Sequence, residues 1–338
     1  MEKQKLLQVE GLSISFAQYT KGLRRRNLQV IRDLGLTVRS GEITAVVGSS
    51  GSGKSLLAHG ILGLLPYNGS MSGTVLYKGE ILTEKRLKDL RGREIVLVPQ
   101  SVSYLDPLMK VGNQVRNGEK SSEAVKRCRE LLARYGLPPD TERQYPFELS
   151  GGMTRRVLIS TALMEKPELV IADEPTPGLD LRAAKRVMGH FREIADEGAG
   201  VLLITHDLEL ALEVADRIAV FYAGTTLEEM EASAFQREET LFHPYSQALY
   251  RAIPQNGFVP LAGTQPYAGD SYTGCVFALR CPYRGEECAA REIPYQEMGG
   301  RKVRCIRPKL TGMSGSLERM DKSPDAENPF PAERGNLA

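Results

Sequence analysis

Residues 48–55 read Gly-Ser-Ser-Gly-Ser-Gly-Lys-Ser. They follow the apolar run Ile43-Thr44-Ala45-Val46-Val47 and lead into Leu56-Leu57-Ala58. That order predicts a strand, a glycine-rich turn and a helix start, the context in which such a turn cradles phosphate. Gly48, Gly51 and Gly53 let the backbone curl, so that N–H groups around Ser49 and Ser52 can converge on phosphate oxygens. The helix N-terminus adds positive potential. Lys54 can reach the outer phosphates, and the Ser55 hydroxyl can ligate Mg²⁺. The competing reading is a glycine-rich turn that binds nothing. Lys-Ser in register between a strand and a helix argues against it.

Two further apolar runs end in chemistry. Leu169-Val170-Ile171-Ala172 delivers Asp173 and Glu174. In a phosphate-loop protein a carboxylate at this place helps to hold Mg²⁺, which makes Asp173 the candidate. Glu174, one residue on, can point elsewhere and serve as general base toward an attacking water. Two acids that merely cap the next element are the plainer alternative. Val201-Leu202-Leu203-Ile204-Thr205 delivers His206 to the same sheet edge, where ligands of open α/β sheets bind. Leu149-Ser150-Gly151-Gly152-Met153 precedes the amphipathic run from Arg155 to Met164 and reads as a second anion-binding helix start.

The rest of the chain sets limits. Its 338 residues suggest about two domains, or one with appendages. With 44 basic and 42 acidic residues the net charge is +2, which gives no support to non-specific nucleic-acid binding. No signal peptide and no membrane-length apolar run is visible, so a cytoplasmic protein that meets a membrane only through a partner is expected. Alternating buried strands and helices predict a mostly parallel α/β sheet. Residues 5–16 and 35–47 read as strands. The stretch between them, with Lys21, Arg24, Arg25 and Arg26, reads as a solvated hairpin or loop, or else as a basic patch facing lipid or a partner. Ala124, Cys128, Leu131 and Leu132 share one face of a helix over 121–135, with Cys128 as packing. From Asn256 onward periodicity fades, suggesting a small module over 256–310. The polar tail from Thr311 reads as disordered.

These motifs, in this order, resemble the nucleotide-binding subunit of an ATP-binding cassette (ABC) transporter over residues 5–310. Gly48–Ser55 matches its Walker A motif, Gln100 in Val-Leu-Val-Pro-Gln its glutamine loop, Leu149–Met153 its signature, Leu169–Glu174 its Walker B motif, Thr176–Asp180 its D-loop and His206 its switch histidine. The resemblance implies a phosphate-loop NTPase core over 5–255, with a helical subdomain near 101–150. It implies a head-to-tail dimer with ATP between the Walker motifs of one cassette and Ser150, Gly151, Gly152 and the D-loop Asp180 of the other. Gln100 would sense the γ-phosphate and face Mg²⁺ with Ser55 and Asp173. Phe16, or failing it Tyr19, would stack on adenine. ATP contacts both halves, so binding closes the dimer and hydrolysis releases it. The implied partners are a second, related ATPase, two membrane permease subunits and an extracellular or periplasmic substrate-binding protein, with this chain peripheral on the cytoplasmic face. Pro177-Gly178 is an uncommon D-loop pair, and Met153 stands where glutamine is usual.

Within that family three segments resemble the dipeptide, oligopeptide and nickel importers. They are Ser103–Val115 (with Asp106 where Asn is frequent), His243-Pro244-Tyr245 with its following residues, and Cys275, Cys281, Cys288 and Cys305. Four thiolates can hold an iron–sulfur cluster or zinc, or persist as reduced packing. Some members of the branch carry a [4Fe–4S] cluster there. Thr176–Asp180, Tyr222–Glu229 and Pro254–Pro260 look closer to the nickel or metal-chelate ATPases than to the peptide ones. The alternative is a soluble, non-transport ABC ATPase. Translation-type cassettes usually come in pairs and chromosome-type ones carry a coiled-coil insertion. One cassette and no such insertion are seen here. Intact Lys54, Glu174 and His206 argue against a catalytically dead subunit.

Overall fold

The computed structural model describes residues 3–19, 25–49, 51–267 and 273–308. In chain order the strands and helices begin with β1 (Lys5–Tyr19), β2 (Arg25–Arg39), β3 (Ile43–Val47), α1 (Lys54–Ile61), β4 (Gly69–Tyr77) and β5 (Glu80–Ile81). Next come α2 (Glu84–Leu90), β6 (Ile95–Val98), α3 (Val111–Val115), α4 (Ser122–Arg134), α5 (Gly151–Ala162), β7 (Leu169–Asp173) and α6 (Leu181–Asp196). They are followed by β8 (Gly200–Thr205), α7 (Leu208–Val214), β9 (Arg217–Tyr222), β10 (Thr225–Glu231), α8 (Pro244–Ala252), α9 (Glu287–Ala290), β11 (Gln296–Met298) and β12 (Arg301–Val303).

Among the described residues the larger sheet runs β11-β12-β10-β9-β3-β8-β7-β6. Its half from β9 to β6 is parallel, as the fully buried apolar runs of β3, β7 and β8 require. Successive side chains face opposite ways, so each of these strands feeds two cores. Val46, Ile171, Leu202 and Ile204 pack with α1 and the antiparallel sheet β2-β1-β4-β5. Ala45, Val47, Val170, Ala172, Val201 and Leu203 pack against α4, α5 and α6. On α4, Ala124, Cys128, Leu131 and Leu132 are the buried face, and burial pushes the Cys128 thiol up in pKa.

Two expectations need amendment. The predicted strand over 35–47 is two strands in different sheets. A turn at Ser40-Gly41, with Gly41 at φ 66°, separates them. Of the hairpin or loop expected after residue 16, the described residues form the hairpin. β1 runs to Tyr19 and pairs with β2 down to the Tyr19–Arg25 register, the long hairpin leaving one face to solvent. Lys21 and Arg24 lie outside the described residues, as does the tail from Thr311. The region after residue 256 is also joined to the main sheet, because β12 pairs with β10 and β11 extends the edge. Short strands of three residues carry too little periodicity to be read beforehand.

Candidate active site in a nucleotide-binding cassette

The parallel strands align their C-terminal ends, with Val47 opposite Thr205, Asp173 opposite Ile204 and Val98 opposite Ala172. Everything that follows β3, β6, β7 and β8 therefore meets at one edge. The glycine turn leaves β3 there. Gly51 and Gly53 have φ of 75° and 96°, which glycine adopts without cost, and Gly53 is the N-cap of α1.

Lys54 is 5% exposed. Its Nζ donates to the carbonyls of Gly48 (2.9 Å) and Ser49 (3.0 Å) and lies 3.7 Å from Glu174 Oε1. Burial lowers its pKa, opposed by Glu174 and Asp173. Ser55 donates its hydroxyl hydrogen to Asp173 Oδ1 over 3.0 Å. Asp173 is buried, and that burial raises its carboxyl pKa against the bond from Ser55. Glu174 adopts φ 45°, a left-handed conformation that costs a non-glycine residue about 1–3 kcal/mol. Its N–H still donates to the Ile204 carbonyl, continuing the ladder. The twist lets Glu174 reach both Lys54 and His206, whose Nδ1 lies 2.7 Å from Oε2. An ionised carboxylate only accepts, so this Nδ1 carries the hydrogen. Half of the His206 side chain remains open to solvent.

The other predicted residues occupy separate places. Gln100 is exposed at the end of β6, where its carbonyl and that of Pro99 accept from the buried Arg155 of α5. Ser150 caps α5 by accepting from the Met153 N–H, and Gly151 is exposed beside it. Gly152 approaches Leu179, while Asp180 caps α6 through the Ala183 N–H. Among the described residues no hydrogen bond or ion pair joins Ser150–Gly152 or Asp180 to the Lys54–Asp173–Glu174–His206 group. Phe16 is half-buried with its edge against Gly69, whereas Tyr19 is 74% exposed. Arg155 escaped the reading of the sequence. Its signal was a cation at the start of an apolar helix face.

The four C-terminal cysteines line one cavity with His243, Tyr283 and Arg307, and all are free thiols. Burial pushes Cys275 to a pKa of about 12 and Cys305 to about 11, and also raises that of Cys281. Among the described residues no three His, Cys, Asp or Glu side chains are grouped to grip a single metal ion. None of the described helices is long and apolar enough to cross a membrane.

Known proteins share this plan. The ABC transporter family model matches residues 31–177, and that of the oligopeptide/dipeptide transporter C-terminal region matches residues 228–288. The dipeptide transport ATP-binding protein of Haemophilus influenzae is 36% identical over 322 residues, covering 90% of this chain and 96% of that protein. Its namesake in Bacillus subtilis is 36% identical over 306 residues, covering 84% and 89%. Among solved structures, the dimeric bacterial ABC transporter cassette MJ0796 aligns with a TM-score of 0.58 at 26% identity, covering 67% of this chain and 99% of that one. Phosphate loop, paired acids and histidine at one sheet edge, with relatives matching along nearly their whole length, place the chain among the ABC transporter ATPases, as an ATP-hydrolysing transporter subunit that carries the oligopeptide/dipeptide transporter C-terminal region.

Proposed function

We propose that this chain is the energy-coupling ATPase of a peptide importer, working on the cytoplasmic face of the membrane with a second, related cassette, two permease subunits and an external substrate-binding protein. The carrying observation is the Glu174 carboxylate held between Lys54 and His206 beside the Ser55–Asp173 pair. The peptide class is supported by the names of the relatives from Haemophilus influenzae, Bacillus subtilis and Escherichia coli, all dipeptide transport ATP-binding proteins.

In this reading the N–H groups of Gly48–Ser55 hold the phosphates and Lys54 exchanges its loop carbonyls for phosphate oxygens. The donor set of Ser55 hydroxyl and Asp173 carboxylate, already 3.0 Å apart, suits Mg²⁺, with Gln100 approaching from β6. The ion would offset phosphate charge. Glu174 takes the proton of the attacking water, and His206 orients that carboxylate through Nδ1. Ser150, Gly151, Gly152 and Asp180 are left facing outward, as groups that complete a partner's ATP site would be. The adenine platform is Phe16 or, further along β1, the more open Tyr19. The cassette spans 5–255 and the C-terminal module 256–310. ATP-driven closure of two cassettes is the step that moves the permeases.

The four thiols that share one cavity suit a thiolate-bound group. A [4Fe–4S] cluster is the group this reading assigns there, with zinc the alternative. Cys275, Cys281, Cys288 and Cys305 would be its ligands, and it would supply a structural or redox-sensing element.

Uptake of a labelled dipeptide and of labelled nickel, in cells carrying wild type or Glu174→Gln, tests the reading. Loss of dipeptide uptake alone supports it. Loss of nickel uptake alone replaces the peptide class with a metal chelate. Loss of neither overturns the importer role.

A further inference from the structure

The phosphate loop starts on a floor that the C-terminal region helps to build. Gly48 lies so close to β9 that a Cβ on it would meet the Phe221 carbonyl oxygen at 2.1 Å. Ser49, the next residue, donates its hydroxyl hydrogen to Gln265 Oε1. Tyr245 of α8 is 3% exposed, and burial pushes its phenol to a pKa of about 12. Gln265 does not belong to the strand, turn and helix that define a phosphate loop.

The floor of the loop continues into the cysteine region. Tyr245 of α8, Tyr222 at the end of β9 and Phe277 form a knot of rings, with centroids 4.5, 5.4 and 5.3 Å apart in the pairs 222–245, 222–277 and 245–277. Phe277 lies between Cys275 and Cys281 in sequence. Arg280 donates from Nε to the Ala262 carbonyl (2.8 Å), from Nη2 to that of Leu261 (2.9 Å) and from Nη1 to the Tyr222 hydroxyl (3.2 Å). One guanidinium thus ties the segment that carries Gln265 to the strand beneath the loop.

We propose that Gln265 is a positioning residue for the phosphate loop, through which the C-terminal module organises Ser49 before ATP arrives. The proposal rests on Gly48–Ser55 being the phosphate loop. A glycine-rich loop loses much conformational entropy when it closes on phosphates, and holding its first turn in advance lowers that cost. The gain belongs to binding and leaves the chemical step largely untouched, so it falls on KM more than on kcat.

The test uses the full-length chain, with melting temperatures checking that each variant is folded. Gln265→Ala is expected to raise the KM for ATP and weaken nucleotide affinity about fivefold, the scale of one neutral hydrogen bond, with kcat within about twofold. Arg280→Ala, which among the described residues bonds to none of the loop, also raises KM. In a Ser49→Ala background, Gln265→Ala adds no further loss, because the bond is already gone. Wild-type KM in the Gln265 variant, or full additivity with Ser49→Ala, overturns the proposal. Lys54→Ala separates the two levels. Unchanged nucleotide affinity there refutes the phosphate-loop reading itself, whereas loss there with wild-type Gln265→Ala refutes only the positioning role.

Discussion

Ser55 and Asp173 stand 118 residues apart in the chain and 3.0 Å apart in the fold, the hydroxyl of one donating to the carboxylate of the other. β3 and β7 are not neighbours in the sheet. β8 lies between them, and the contact is made because α1 turns back over the sheet edge directly after the glycine turn. A hydroxyl and a carboxylate facing each other make a ready pair of oxygen ligands for a hard cation. Ser55→Ala is therefore expected to weaken Mg²⁺-dependent ATP hydrolysis by roughly 100-fold, at or beyond the upper range seen when a ligand's supporting partner is removed. Titrating Mg²⁺ against ATPase rate checks this, and an unchanged Mg²⁺ requirement counts against the pair.

Asp173 carries a stability signature with a definite sign. Its folded pKa is raised above the ordinary 3.8, mainly by burial. Between 3.8 and that raised value the folded state binds more protons than the unfolded one, so stability falls as pH rises through the window. At neutral pH the ionised carboxylate costs stability, and Asp173→Asn keeps an acceptor for Ser55 without the charge. Nucleotide-free Asp173→Asn is expected to melt above wild type at pH 7. The difference should shrink as pH falls through the window and vanish below 3.8. A difference independent of pH would show that the charge is not the cause.

Glu174→Gln should separate binding from turnover. The amide can still sit beside Lys54 but cannot take a proton from water. We expect ATP affinity close to wild type and hydrolysis lowered about 10²- to 10⁴-fold, the usual reach of a positioned general base. Single-turnover hydrolysis at saturating ATP decides it, and a rate within a few-fold of wild type removes Glu174 from that role.

The two glycines Gly48 and Gly51 should respond differently to alanine. At Gly48 a Cβ collides with the Phe221 carbonyl, so Gly48→Ala must displace β9 or the loop, at a cost of about 1–3 kcal/mol and most nucleotide binding. At Gly51 an added Cβ would meet nothing within 4 Å among the described residues beyond its chain neighbours, and only the φ of 75° is penalised, by roughly 1–2 kcal/mol. Gly51→Ala should thus fold and retain weakened nucleotide binding, as read by thermal melts and ATP titration.

The cysteine cavity gives a test that does not involve ATP. Anaerobic purification, followed by iron and sulfide analysis with visible absorbance, should find about four of each per chain if the [4Fe–4S] reading is right. Cys281→Ser should lose them. Cys128→Ser should keep them, because Cys128 is buried in α4 away from this cavity.

Much of the site was legible because its physics is local. A glycine turn between an apolar run and a helix start, or an apolar run ending in Asp-Glu or in Thr-His, declares both the element and its exposed end within ten residues. Parallel pairing then brings such ends to one edge, so Lys54, Ser55, Asp173, Glu174 and His206 could be grouped from the sequence. The periodicity of residues 121–135 likewise gave the buried face of α4. What tertiary structure decided is everything that depends on partners distant in the chain. The split of 35–47 into β2 and β3 follows from which sheet each half joins. Arg155 beneath Gln100, the left-handed twist of Glu174, and the reach of Gln265 to Ser49 have no local periodicity. They arise because separate segments must fill and satisfy one shared edge, and only the assembled fold says which side chains stand there.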